Sequence, residues 1–522
     1  MTVYLGFDSS TQSLSALAID AERGEVVVDE SINFGSELPH YESPNGFLNH
    51  PDPNIKHSNP LMWVEALDLL LSRLKESGLD YSQVGAVSGA GQQHGSVYLR
   101  TRVEEAPEFS SEKALLEQVK PLLSRPTSPI WMDSSTSEQC RQIAEAVGGE
   151  ATVTRISGSR AIERFTGPQI RKFFQEEPEL YQQTREICLV SSFMASLLAG
   201  AHVAIDPGDG AGMNLMDLES QSFSPALLEA TAPDLVTRLR GPVNSNTRVG
   251  ELSNYFVERY GFSRGTPVFA FTGDNPSSLI GMGASSPGTA IVSLGTSDTV
   301  FAAMRQPRTD PRGFGHVFGN PAGGFMSLIC FANGSLARER IKEELGLDWD
   351  GFEKAILEDT TPGNSDNLML PFFVPEMTPK ILTPHVERFG TPAFEKGEDT
   401  SALVRAVVEA QALSMQRHSD WIGETPSDLL VTGGASRNRG ILQVLADVFQ
   451  ATIRTLTVGN SSALGGALRA AHGGGNFSWE ALTERFAAPN PEFVVKPGTG
   501  TATRYDELRQ RLAERLDALN TP

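Results

Sequence analysis

A chain of 522 residues exceeds the roughly 250 to 300 that one hydrophobic core accommodates, which predicts two large domains with a ligand cleft between them. With 39% hydrophobic and 20% charged residues the composition is globular. The 43 Lys and Arg against 64 Asp and Glu leave a formal charge of -21, which opposes diffuse attraction to nucleic acid or to an anionic membrane surface. A phosphate-bearing ligand must then be held locally, by backbone N–H groups, a metal ion and a few placed basic side chains.

Met1 to Asp8 lack the basic start of a signal peptide, and the three cysteines, Cys140, Cys188 and Cys330, are too far apart in sequence to suggest a disulfide framework or a zinc cluster; both features fit a reducing cytoplasm. The chain opens as a β-meander: a strand at 3–8, a small-residue turn at 9–13, a strand at 14–20, a turn at Gly24 and a strand at 25–29. Val64, Leu67, Leu70, Leu71 and Leu74 repeat at helical spacing, and the strand 84–87 then runs into a glycine-rich loop, which makes the architecture α/β. The apolar segment 189–200 is shorter than the ~20 residues of a membrane span and reads as a buried helix.

The opening theme returns in the second half, where 289–294 is a strand, 295–298 a small-residue turn and 299–304 a returning strand. This echo suggests two copies of one α/β unit, each presenting a hairpin to a shared cleft, with the boundary in the polar run near residue 245 (units 1–245 and 246–522). Further on, a strand at 428–431 leads through Gly433 and Gly434 to a helix with Ser436 as its N-cap. A strand at 452–457 then precedes a small-residue helix, 463–471, that permits close approach of a backbone or a flat ring, and the tail from Tyr505 to Leu519 is a surface helix.

In LGFDSSTQS, Asp8 stands at a strand end and is followed by Ser10 and Thr11, whose N–H and hydroxyl groups suit a phosphate; the carboxylate suits Mg²⁺, directly or through water. In SLGTSDT, Gly295 lets backbone approach phosphate, and Thr296 and Ser297 add donors. In FTGDNP, Asp274 follows the strand 267–271 and precedes a helix starting at Pro276. Either Asp274 or Asn275 suits the N-cap of that helix; where Asn275 or the turn caps it, Asp274 is free to accept a proton. The loop SGAGQQHG sets Gln92, Gln93 and His94 between glycines, a set fit for hydroxyl recognition or for a structural histidine, and GSRAIERFTG supplies Arg160 and Arg164. In VTGGASRN the glycines suit a base or ribose, with Asn438 as donor. No P-loop is present, and the glycines near 281–283 do not complete a dinucleotide fingerprint.

In this order LGFDSSTQS, SGAGQQHG, WMDSSTS, ERFTG, VSSF, FTGDNP, SLGTSDT and TGGASRN resemble the FGGY carbohydrate kinases over residues 3 to 475, most closely their eukaryotic-type branch acting on xylulose. Gln93 where the bacterial loop has Met, and Ser135 where it has W-x-D-x-R, fit that branch. The resemblance implies two ribonuclease-H-like domains of the actin, Hsp70 and sugar-kinase superfamily around a central cleft, and transfer of the ATP γ-phosphoryl to D-xylulose with Mg²⁺. It implies Asp274 as catalytic base; His94, Arg164 and Asn275 beside it on the sugar; Asp8 with Ser10 and Thr11, and Gly295 with Thr296, on phosphate and metal; and Gly434, Ala435, Asn438 and Trp349 on adenosine. The implied partners are the sugar and ATP, with no nucleic acid or membrane, in a monomer or homodimer. The alternatives are an FGGY kinase for ribulose, glycerol or gluconate and, from another class, a non-catalytic sugar- or nucleotide-binding protein. A sugar panel separates the first, and binding without turnover would mark the second.

Overall fold

The computed structural model describes residues 1–424 and 426–519. Two mixed sheets organise it. In the first, β1 (Val3–Ser9), β2 (Ser13–Asp20), β3 (Glu25–Asn33), β4 (Val84–Gly91) and β5 (Pro267–Phe269) lie in the order β3-β2-β1-β4-β5. The meander pairs antiparallel, whereas β1 with β4 and β4 with β5 pair parallel. In the second, β6 (Ala290–Leu294), β7 (Asp298–Met304), β8 (Phe325–Phe331), β9 (Asp428–Thr432) and β10 (Thr452–Thr455) repeat that wiring, β8-β7-β6-β9-β10, with the same parallel and antiparallel pairs. The duplication inferred from two similar turns is therefore a duplication of whole sheets. All of β1 is buried, as a strand covered on both faces must be, which is why its sequence runs apolar instead of alternating.

Helices supply the covering layers. Pro60–Glu76 (α1) begins under Asn59, whose side chain accepts from the Leu61 N–H, and lays Trp63, Leu67, Leu70, Leu71 and Leu74 on the first sheet. Truncating Trp63 in that core would cost about 3–5 kcal/mol. The expected buried helix is Val190–Ala199 (α2), ended by Gly200 in the left-handed region at φ 62°. A third apolar cluster around Tyr98, Phe173, Tyr181 and Leu227 belongs to a helical lobe attached to the first sheet. Among the described residues no helix is long and apolar enough to cross a membrane.

Four expectations are corrected. A division at 245 would cut the first sheet, because Arg248–Glu251, β5 and Thr272–Gly273 all belong to it; we propose the division after helix α3 (Asp274–Gly281) instead. That helix starts at Asp274 and not Pro276, with Gly273 as its N-cap. Ser436 lies in a 3₁₀ turn, and Asn438 caps the next helix, α4 (Arg439–Phe449), by accepting from the Ile441 N–H. The tail helix Thr501–Leu519 buries Tyr505, Leu508, Leu512 and Leu516 in the second core.

The small-residue helix, α5 (Ser461–Gly475), approaches backbone. A Cβ on Gly465 would stand 1.9 Å from the Ser277 carbonyl oxygen, and one on Gly6 in β1 would stand 2.1 Å from the Ala463 carbonyl oxygen. Arriving from β10 of the second sheet, α5 thus lies against α3 and against the first sheet, where Ala463, Ala467 and Ala471 share a core with Tyr4, Ile19 and Phe269.

Candidate active site

Strand register brings two carboxylates to one place. Asp8 is level with Ala90 of β4, and Ala90 is level with Thr272, two residues before Asp274. Asp274 opens α3, and its Oδ1 accepts from the Asn275 N–H at 2.8 Å, the Asn275 side-chain amide at 3.0 Å and the Gln93 N–H at 3.3 Å. A helix N-terminus and three donors favour the ionised form. Burial on the cleft floor and the Asp8 charge nevertheless outweigh them and raise its pKa to about 7. Gly273 is needed there, since a Cβ would stand 2.4 Å from Cγ of Gln93.

Asp8 is buried. Its Oδ2 accepts from the Ser10 hydroxyl, and its Oδ1, fully enclosed, has no protein partner. Burial pushes its pKa up, against the hydrogen bond from Ser10. An enclosed carboxylate oxygen without a donor suits a hard cation or its water, so the residues present fit Mg²⁺. Thr11 sits in the same turn and accepts from the indole N–H of Trp131 at 2.7 Å. Asp133, in the same WMDSS stretch, is instead structural: it is buried on the Lys56 N–H, Ser135 and the Gln169 amide.

His94 is held at φ 72° with Nδ1 2.7 Å from the Gly212 carbonyl and its ring 4.2 Å from that of Phe165. Burial and the nearby Arg164 push its pKa down to about 3, so the ring is neutral; Nδ1–H donates to Gly212 and Nε2 is the acceptor. Arg164 lies 3.4 Å from Nε2 of His316 in the second half, and lines a wall with Arg160, Cys330 and Glu376. Burial lowers the pKa of the Arg164 guanidinium.

One wall of this site was not read from the sequence. Segment 206–212 (Asp-Pro-Gly-Asp-Gly-Ala-Gly) has Asp206 as the N-cap of a short helix and offers carbonyls to the loop holding Gln93 and His94, Gly208 to the Gln93 amide at 3.3 Å and Gly212 to His94. Its glycines are the available signal: Cβ atoms would meet Thr272 Oγ1 at 2.3 Å at Gly208 and His94 Nδ1 at 2.9 Å at Gly212.

Across the cleft, the turn from Gly295 to Ser297 joins β6 to β7 with Thr296 and Ser297 exposed. Its acidic member, Asp298, is fully buried in a two-bond pair with Arg338 at 2.7 and 2.9 Å, so Asp8 has no counterpart free for a cation there. Gly433 (φ 94°) would carry a Cβ 2.3 Å from the Leu294 carbonyl oxygen, which explains the first glycine of the pair, while Gly434 faces open space. Asn438 uses its carbonyl as a cap and aims its amide at the Trp349 carbonyl 3.5 Å away. Trp349 is 39% exposed, edge-on to Phe352, with the Lys342 ammonium 5.1 Å from its ring. The structure therefore brings Gly434, Ala435, Asn438 and Trp349 to one face of the second unit, beside an open cavity of ≈ 600 Å³ lined by Gly433, Gly434, Arg437 and Phe493. Asp274, Asn275, His94 and Asp8 gather on the first, with Arg164 at the junction.

Family profiles match both halves of the chain. The N-terminal domain of the FGGY family of carbohydrate kinases matches residues 113–281, and its C-terminal domain matches residues 290–474. The chain belongs to the FGGY family of carbohydrate kinases. ATP is accordingly its phosphoryl-donor substrate. This FGGY chain is 44% identical to xylulose kinase of Rattus norvegicus over 98% of its own length and 96% of the relative's, and 42% identical to xylulose kinase 2 of Arabidopsis thaliana, covering 90% and 87%. Xylulose kinase of Rhodospirillum rubrum superposes at a TM-score of 0.83 with 20% identity, covering 99% of each chain, which speaks to the fold alone. The gap between the two matched stretches, 282–289, coincides with the division proposed above, after the end of α3.

Proposed function

We propose that this FGGY kinase transfers the γ-phosphoryl group of ATP to the terminal hydroxyl of D-xylulose, giving D-xylulose 5-phosphate and ADP. The observation that carries the reading is the grouping of Asp274, Asn275 and His94 within a shell of Gln93 and the carbonyls of 206–212, beside the buried Asp8. Long, nearly full-length similarity to xylulose kinases of animals and plants supports that substrate.

In this reading a sugar hydroxyl donates to the neutral Nε2 of His94, while Arg164 and Asn275 orient the rest of the acyclic ketose. The attacking oxygen forms a bond to the γ-phosphorus as the bond from that phosphorus to the β–γ bridging oxygen breaks, and ADP leaves with that electron pair. Asp274 orients the hydroxyl and takes its proton late, because the loose phosphoryl transition state demands little prior deprotonation. A carboxylate with a pKa near 7 is well matched to that task at neutral pH. Thr11, Gly295 and Thr296 present N–H and hydroxyl donors to the phosphates from the two hairpins, while Ser10, whose hydroxyl goes to Asp8 and whose N–H goes to the Ser13 carbonyl, shapes the first of them. Asp8 would hold Mg²⁺, which when bound neutralises charge on the phosphate oxygens. Gly434, Ala435, Asn438 and Trp349 take the adenosine.

The test is sugar-dependent ADP release from D-xylulose, D-ribulose, glycerol and gluconate in one panel, with product identification. D-Xylulose at the highest kcat/KM is expected; preference for another polyol would move the assignment within the family, and ligand binding with no turnover on any sugar would mark a non-catalytic protein.

A further inference from the structure

Arg469 of α5 is 1% exposed and has no carboxylate in its hydrogen bonds. Nη1 donates to the Gly89 carbonyl at 3.1 Å, Nη2 donates to the Ser245 carbonyl at 3.1 Å and to the Ala270 carbonyl, and Nε is enclosed without a partner. Burying a guanidinium on neutral carbonyls is costly, and an apolar side chain of similar volume is cheaper to bury in such a place. Burial lowers the pKa of this guanidinium to about 10, with Asp206 the nearby charge that opposes the shift. What a Met or Leu cannot do is donate to three separate backbone segments at once.

Each of the three carbonyls sits one link from the site. Gly89 lies in β4, four residues before Gln93, whose N–H bonds Asp274. Ala270 follows β5 and precedes Asp274 by four residues; its carbonyl also accepts from Ser88. Ser245 donates its hydroxyl to Asp206, the residue that opens segment 206–212, whose carbonyls hold Gln93 and His94. On the other side, α5 continues from β10 of the second sheet, and near its start the Ser462 carbonyl accepts from the Ser277 hydroxyl of α3 at 2.7 Å. The guanidinium therefore joins the strand that leads to the base, the loop that leads to the sugar residues and the strap behind them, on a helix anchored in the nucleotide-bearing half.

We propose that Arg469 is a positioning residue for phosphoryl transfer, setting Asp274 and the Gln93–His94 loop relative to one another through the carbonyls of Gly89, Ala270 and Ser245. This deepens the kinase reading and rests on it.

The full-length Arg469→Lys, Arg469→Met and Ser245→Ala variants test it. Lys keeps the charge but not the planar fork; Ser245→Ala leaves Arg469 in place and removes only the hydroxyl link to Asp206. In both Arg469 variants kcat/KM for D-xylulose is expected to fall on the order of 10²-fold, as for reacting groups displaced by about 1 Å, chiefly in kcat, with ATP KM little changed. The acid limb of the pH profile moves to higher pH, because loss of the Gln93 N–H bond disfavours the Asp274 carboxylate. Ser245→Ala raises the sugar KM roughly 10-fold, about one hydrogen bond's worth. Hydrogen exchange of the ligand-free variants speeds up at 89–95 and 270–275.

A change in thermal stability alone, with wild-type kcat/KM and an unmoved acid limb in folded variants, would overturn the proposal. If neither Arg469 variant folds, unchanged sugar kinetics in Ser245→Ala overturns it. Absence of D-xylulose turnover in the wild type would sink the substrate reading only, and the exchange experiment on ligand-free protein would still decide whether Arg469 holds the two segments.

Discussion

Replacing Asp274 by Asn should make the protein more stable at alkaline pH while removing its base. Burial and the Asp8 charge raise the Asp274 pKa from 3.8 to about 7. Between those values the unfolded carboxyl is ionised while the folded one keeps its proton, so the folded state binds more protons and stability falls as pH rises through that window. At about 1.4 kcal/mol per pKa unit the ionised form withholds at most about 4 kcal/mol above pH 7, and about 1–2 kcal/mol once solvent at the cleft floor is allowed for. Asn never ionises and retains an oxygen for the bonds that Oδ1 accepts from Asn275 and Gln93. Thermal unfolding of ligand-free protein at about pH 5.5 and about pH 8.5 reads the difference: only the part of the window above pH 5.5 separates the two, so the variant's advantage over wild type should be about 1 °C larger at the higher pH. An advantage that is equal at both pH values, or a loss at pH 8.5, would refute the reasoning that the cleft penalises this charge. The same pKa places the acid limb of wild-type kcat/KM near pH 7.

Three further outcomes follow from neighbouring residues. Asp8→Asn should raise the Mg²⁺ concentration needed for half-maximal turnover by roughly 10-fold or more and lower kcat, because the enclosed Oδ1 would lose its charge; a Mg²⁺ titration of initial rate checks it. His94→Ala should raise the sugar KM roughly 5- to 30-fold, the equivalent of one or two hydrogen bonds, with kcat and ATP KM little changed in steady-state kinetics. Gly465→Ala should lower stability by about 2 kcal/mol or more, seen as a fall in Tm, because its Cβ would stand 1.9 Å from a carbonyl oxygen of α3.

What the sequence carried well was local. Two hairpins of small polar residues after apolar strands were readable, and so were the glycine turn after a buried strand and the helix following Asp274, since each depends on neighbours in the chain. The ordered motifs supplied the roles proposed for these residues, Asp274 as base among them. Gly273 proves to be the N-cap, so neither Asp274 nor Asn275 holds that place.

The misreadings came from contacts distant in sequence. The bond from His94 to Gly212 spans 118 positions, and nothing near His94 announces it. The polar run at 241–247 looked like a linker because it is polar, yet Ser245 is buried against Asp206 and the first sheet continues beyond it. Ser436 and Asn438 both have N-cap chemistry, and the choice between them was made by the 3₁₀ turn that follows Gly433. Arg469 reads as an ordinary helix cation until three carbonyls from three segments are seen to converge on it.

The central claim, transfer of the γ-phosphoryl group from ATP to D-xylulose with Asp274 as the base, is tested most directly by rapid-quench transfer of labelled phosphate from ATP under single-turnover conditions. Wild type should place the label on the terminal hydroxyl of D-xylulose. Asp274→Asn should bind both substrates yet transfer on the order of 10² to 10⁴ times more slowly. Transfer by the variant at the wild-type rate, or label appearing on water instead of sugar in the wild type, would contradict the account.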